Sequence, residues 1–159
     1  MSLSSDGKWF KHIEDIYASC MKKVSVLRKF KYLLNKEIII RLYKCFILPV
    51  LEYASELWDG CTEQDKQRLE SVQLEAARIA CGLPIFCKKE AIYFESGLEP
   101  LSDRRERRKL TLFYKIHHNL VPSCLNDPLP PLVSEISSYE LRNNENYSLP
   151  KLRLTLSKR

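Results

Sequence analysis

The sequence predicts an all-α protein, a helical bundle of four to five helices followed by an irregular proline-rich tail. Three observations predict it. Apolar residues recur three and four positions apart in successive long stretches, the period of one helix face. Capping residues and helix breakers stand where those stretches begin and end. Only four glycines occur in 159 residues, too few for the closely spaced turns of a β-sandwich.

Each element follows from its residues. Trp9, Ile13, Ile16, Cys20, Val24, Leu27 and Leu34 form one apolar face of a long amphipathic helix over residues 8–34. Lys22, Lys23, Arg28, Lys29 and Lys31 occupy much of the rest of its second half. Asn35 is the N-cap of a second helix, 36–58, with Ile39, Leu42, Phe46, Val50, Tyr53 and Leu57 on its inner face. Pro49 inside it lacks the N–H that would reach Cys45 and crowds that carbonyl, so a kink or break is expected there. Thr62, with Asp65 three residues on, resembles a capping box and opens a helix over 62–82. Leu69, Val72, Ala76 and Ile79 supply its core stripe, Gly82 its C-cap, and Pro84 prevents continuation. A short helix covers 88–95 and ends at Gly97. Ser102 caps a last helix, 102–120, whose buried stripe is Leu110, Phe113, Ile116 and Leu120 and which stops at Pro122. Beyond it, Pro128, Pro130 and Pro131 and the polar run 134–146 read as irregular chain, with a short strand through Leu152, Leu154 and Leu156. The expected division is a helical domain, 1–122, and a tail, 123–159.

Composition narrows the function classes. A hydrophobic fraction of 45% and a charged fraction of 29% are globular values. The net charge of +6 permits nucleic-acid or anionic-surface binding without establishing either. The apolar run Ile38–Leu51 is broken by Arg41, Lys44 and Pro49 and falls far short of the ~20 residues that span a bilayer, so no membrane partner is expected. The N-terminus has no apolar leader segment, and the six cysteines form no C-x-x-C pair. Reduced thiols in an intracellular setting, cytoplasmic or nuclear, are therefore expected. His117 and His118 are adjacent, so they leave opposite sides of a helix and are not expected to share a metal. No metal and no cofactor are expected in this chain, which also lacks a glycine-rich phosphate cradle.

No constellation for catalysis is present. A polymerase needs paired carboxylates to hold two metal ions, and no two of Asp6, Asp15, Asp59, Asp65, Asp103 and Asp127 are adjacent. Glu52, Glu56 and Asp59 share a helical spacing that solvated surface carboxylates commonly show. The basic clusters say more. Arg104, Arg105, Arg107, Arg108 and Lys109 fall in the first turns of the last helix, where the dipole disfavours cations. Two readings account for this. In one, the cluster meets phosphate; in the other, it pairs across the bundle with the acidic stretch Glu52, Glu56, Asp59, Glu63, Asp65, Glu70 and Glu75. Lys22, Lys23, Arg28, Lys29 and Lys31 form a second basic patch, with Phe30 and Tyr32 beside it as candidates for base stacking.

The same residues carry a resemblance. LSSDGKWFKHI at Leu3–Ile13, LYKCFILPVLEYASELWD at Leu42–Asp59 and LESVQLEAARIACG at Leu69–Gly82 resemble the region after the palm in jockey-type non-LTR retrotransposon reverse transcriptases. GLEPLSDRRERRKLTLFYKIHHNLVP at Gly97–Pro122 and YELRNNENYSLPKLRL at Tyr139–Leu154 continue the match in order. P-x-L-E-Y-A-S-x-x-W followed by Q-x-x-A-A-R-I and R-R-x-R-R-K-L is specific as a combination. In that family the catalytic Asp pair lies upstream in the palm, so the resemblance implies a non-catalytic, thumb- or connector-like piece of an RNA-directed DNA polymerase. The family continues past this tail into an aromatic-rich segment, so the resemblance also implies a truncated or decayed member. The implied partners are the RNA or DNA backbone of template-primer or target, and the parent polymerase's palm. The two basic patches are then the candidate backbone contacts. The competing expectation is a helical protein-interaction module that docks on a palm or on another protein.

Overall fold

A computed structural model describes residues 9–125, 129–136, 142 and 146–148. The fold is all-α. In chain order the helices are α1 (Phe10–Phe30), α2 (Lys36–Phe46), α3 (Leu48–Glu52), α4 (Ser55–Trp58), α5 (Glu63–Cys81), α6 (Lys89–Ser96), α7 (Leu101–His117) and α8 (Val133–Ile136), with a 3-10 turn at Ser123–Leu125. The chain divides into two compact units, Met1–Leu112 and Phe113–Arg159.

In the first unit, α5 is the central element and packs on α1, α2 and α6. Its stripe is the predicted one: Leu69, Val72, Ala76 and Ile79 are all buried. Its ends are also as predicted. The Thr62 hydroxyl accepts from Asp65 N at 3.2 Å, and Gly82 closes the helix in the left-handed region at φ 67°. The Leu83 N–H then donates to the Arg78 carbonyl at 3.1 Å, satisfying one of the last orphan acceptors. α1 buries Ile13, Ile16, Cys20, Val24 and Leu27, and Trp9 and Leu34 pack half-buried at its two ends. Asn35 caps α2 by accepting from Ile38 N at 3.0 Å.

The stretch 36–58 departs from expectation. The break expected at Pro49 occurs, but a second follows it, so the stretch is three helices. α2 ends at Phe46, before Pro49, and Ala54 breaks the chain again in the left-handed region at φ 51°. Each break rotates the phase of the following residues. Ile39 is buried as predicted, but Phe46, Tyr53 and Leu57 face solvent, and Leu42 and Val50 are half-buried. Ile40, Tyr43, Ile47, Leu48, Leu51 and Trp58 take the inner positions instead. The core also holds a polar relay: the Tyr43 hydroxyl donates to Gln73 Oε1 at 2.6 Å, and Gln73 Nε2 donates to the Glu99 carbonyl at 2.7 Å. Burial pushes the Tyr43 hydroxyl well above the usual phenol range.

The last long helix differs at both ends. Arg104 N donates to the Pro100 carbonyl at 3.3 Å, so α7 starts at Leu101. Ser102 lies inside the first turn rather than capping it, its hydroxyl donating to Asp103 at 2.9 Å. The helix stops at His117, ahead of Pro122, and Asn119 adopts φ 55°. Its expected apolar stripe is not buried: Leu110, Phe113 and Leu120 are exposed and Ile116 is half-buried. α7 buries only Leu101 and Arg105, four residues apart on one face. Leu110 stands about 140° round the helix from Arg105, at ~100° per residue.

Among the described residues of the second unit, Leu132 and Tyr147 form an isolated antiparallel bridge. Tyr147 Oη lies 2.8 Å from His117 Nδ1, and the Phe113 and Tyr147 rings meet edge-on at 5.7 Å. The rings of His117 and His118 do not diverge as expected. They lie 5.1 Å apart because the helix ends at His117 and His118 belongs to the turn beyond it. The strand expected at Leu152–Leu156 lies outside the described residues.

Candidate nucleic-acid interface

The two basic patches fold into different environments. In α7, each cation of the Arg104–Lys109 cluster meets a carboxylate. Glu52, at the end of α3, keeps only 5% of its side chain exposed. Arg104 Nε donates to Glu52 Oε1, Arg108 Nη2 donates to Glu52 Oε2 at 2.9 Å, and Arg108 Nη1 donates to the Glu52 carbonyl at 3.0 Å. Arg107 grips Glu99 through both terminal nitrogens, at 3.0 and 3.1 Å. Lys109 Nζ reaches Asp59 at 2.6 Å. Arg105 is buried, with Nε 3.1 Å from Asp59 Oδ1 and its guanidinium 5.9 Å from the Trp58 ring centre. The Nε–Asp59 contact misses hydrogen-bond geometry, so it is an ion pair without a directional bond.

This arrangement has electrostatic consequences. Hydrogen bonding to Arg107 holds the Glu99 carboxyl below its ordinary range, and raises Arg107 in turn. The hydrogen bond to Glu52 raises Arg104. Glu70 adds a further device: its Oε1 accepts from Leu101 N at 3.2 Å and from the Tyr93 hydroxyl, placing a carboxylate at the positive end of α7.

The acidic partners are only partly those the spacing suggested. Glu52 and Asp59 engage α7, and Glu56 lies 3.9 Å from Arg108. Glu52 and Asp59 are not the solvated surface pair expected, because α3 and α4 turn both inward against α7. Asp65 instead serves its own helix cap, and Glu75 pairs with Arg28 at 2.6 Å and Arg78 at 3.5 Å. Glu99 was missed because it precedes the helix. Its only sequence signal is that it stands eight residues before Arg107, where a chain entering a helix can fold back on it.

The α1 patch is more open. Lys23 Nζ donates to the Phe46 carbonyl at 2.9 Å, and Arg28 pairs with Glu75. Lys31 Nζ sits 5.6 Å from the Tyr32 ring centre. Lys22 and Lys29 have no carboxylate partner among the described residues. They are seven residues apart, so they stand on one ridge of α1 about 10 Å long at ~1.5 Å per residue. Of the two aromatics beside the patch, Tyr32 is strongly exposed and Phe30 partly so.

Among the described residues no group of three or more His, Cys, Asp or Glu is placed to hold a metal ion. No described helix is long and apolar enough to cross a membrane. No protein-family model matches the chain, and neither does any curated protein or solved structure.

Proposed function

We propose that this chain is the helical region that follows the palm in a jockey-type non-LTR retrotransposon reverse transcriptase. On this reading it is non-catalytic by itself and contacts the backbone of template-primer or target RNA or DNA, inside the cell. The ordered sequence resemblance from Leu3 to Leu154 supports the family. One observation of geometry supports the contact: the Lys22–Lys29 ridge of α1 is basic and free of carboxylates, and the chain has no acidic residue between Asp15 and Glu37. Backbone contacts of this kind position a duplex without reading its sequence. Arg104, Arg105, Arg107, Arg108 and Lys109 add positive potential in this reading, but a phosphate there competes with Glu52, Glu99 and Asp59.

The test is binding of a fluorescent RNA–DNA duplex across a salt series. The double variant Lys22→Gln/Lys29→Gln is expected to lower the slope of log K against log salt by about 0.7–0.9 per lost contact. An unchanged affinity and slope in that variant would refute the α1 contact. Magnesium-dependent primer extension by the isolated chain would refute its non-catalytic character.

A second reading, a helical protein-docking module, is favoured by a separate feature of the same unit. A cleft of 270 Å³ opens between α1 and α2, and apolar side chains line it almost throughout.

A further inference from the structure

We propose that the cleft between α1 and α2 is a docking groove for an acidic amphipathic helix of a partner protein. This rests on the second reading above and names the occupant that reading leaves open.

The lining carries the argument first. Val26, Leu27 and Phe30 come from α1, and Leu42, Phe46 and Ile47 from α2 and its end. Val26 is 50% exposed and Phe46 62% exposed, a large apolar surface left in water by the monomer. Lys23 also lines the cleft, but its ammonium turns to the Phe46 carbonyl and the cleft presents no polar surface to a nucleobase edge. A base in this cleft would lose hydrogen bonds to water without replacement. A row of leucine-like side chains loses none.

Charge then selects among apolar partners. Lys22 and Lys29 flank Val26 on the outer rim, one turn before it and one turn after. Neither lysine has a carboxylate partner among the described residues, and the chain has no acidic residue between Asp15 and Glu37, so the charge along that rim is positive. A second copy joined by two-fold symmetry would set this rim against itself, lysine facing lysine. A bilayer accepts convex apolar protrusions, whereas a concave cleft pressed on it stays unfilled. A helix carrying apolar residues at i, i+3 or i+4, and i+7, with Glu or Asp beside them, fills the cleft and neutralises the rim. The rim's length corresponds to about two turns of such a helix.

The experiment uses the full chain and two synthetic helical peptides with one shared leucine stripe, flanked by Glu in one and by Lys in the other. Binding is read by fluorescence anisotropy and by methyl NMR shifts at Val26, Leu27, Leu42 and Ile47. The Glu-flanked peptide is expected to bind and to move those methyls, with the Lys-flanked peptide at least about tenfold weaker. Phe46→Ser, on an exposed side chain, is expected to weaken it about tenfold or more with unchanged melting, and to leave duplex RNA–DNA binding unaltered. If the Lys-flanked peptide occupies the cleft equally well, the acidic partner is wrong while the docking reading stands. If neither peptide moves those methyls, both fall. Self-association, or binding to anionic vesicles, that Phe46→Ser abolishes would likewise overturn the proposal in favour of a second copy or a membrane.

Discussion

Glu52 is a carboxylate with 5% of its side chain in solvent, held by two guanidiniums that are themselves 31% and 42% exposed. Taking the cations away leaves an uncompensated buried charge, which costs far more than the net worth of the pair. Arg104→Gln/Arg108→Gln is therefore expected to lower unfolding free energy by about 2–3 kcal/mol, at the low end for a buried pair because both arginines reach water. Urea denaturation checks this; an unchanged midpoint would mean that Glu52 finds water when unpaired. Acid acts on the same surface. Glu99 is held below 4.5 by Arg107, so its contribution is complete above that pH and is lost as pH falls through its lowered value. Burial lowers His12 below 6.5, so the folded state disfavours its proton, and its contribution is complete above 6.5 and is lost as pH falls from there through the lowered value. Melting temperature is expected to decline as pH drops below 6.5, and less so in that range in His12→Gln.

At the scale of elements, the caps control where helices stop. Gly82 has φ 67°, and a Cβ there would meet nothing within 4 Å. Gly82→Ala is thus a nearly pure test of backbone strain, expected to cost about 1–2 kcal/mol with no change in packing. A variant as stable as the parent would show that the left-handed cap is dispensable. The caps at Asn35, Thr62 and Gly82 were legible because each is a local event, a side chain or a glycine acting on backbone within four residues. The phase of 36–58 was not legible beyond Ile39. Pro49 announced a break, but nothing local announced the second one at Ala54, an alanine in the left-handed region between the buried Leu51 and Trp58.

For the whole molecule, the basic clusters make contrasting predictions. Changing Arg104, Arg105, Arg107 and Arg108 together to Gln keeps helix propensity but removes every cation facing Glu52 and Glu99. The quadruple variant is expected to melt well below the parent, its duplex affinity falling less than in Lys22→Gln/Lys29→Gln. Thermal melts and anisotropy titrations of both variants, side by side, decide it. A quadruple variant that melts like the parent yet loses duplex binding would return the phosphate contact to α7.

The sequence by itself determined the all-α class, the central stripe of α5, the buried face of α1 and the caps at Asn35, Thr62 and Gly82, because periodicity and capping are properties of neighbouring residues. It also marked the arginines of α7 as anomalous, since cations at a helix N-terminus oppose the dipole. Only the tertiary structure decided what answers them. Glu52 and Asp59 lie some fifty residues away in sequence, and α3 and α4 bring them in. Glu99 reaches Arg107 because the chain folds back into the helix, and Glu70 arrives from α5. The exposure of Leu110 and Phe113 was decided in the same way. A helix can hold its place by charge on one face, and an apolar stripe elsewhere on it is then free to remain in water.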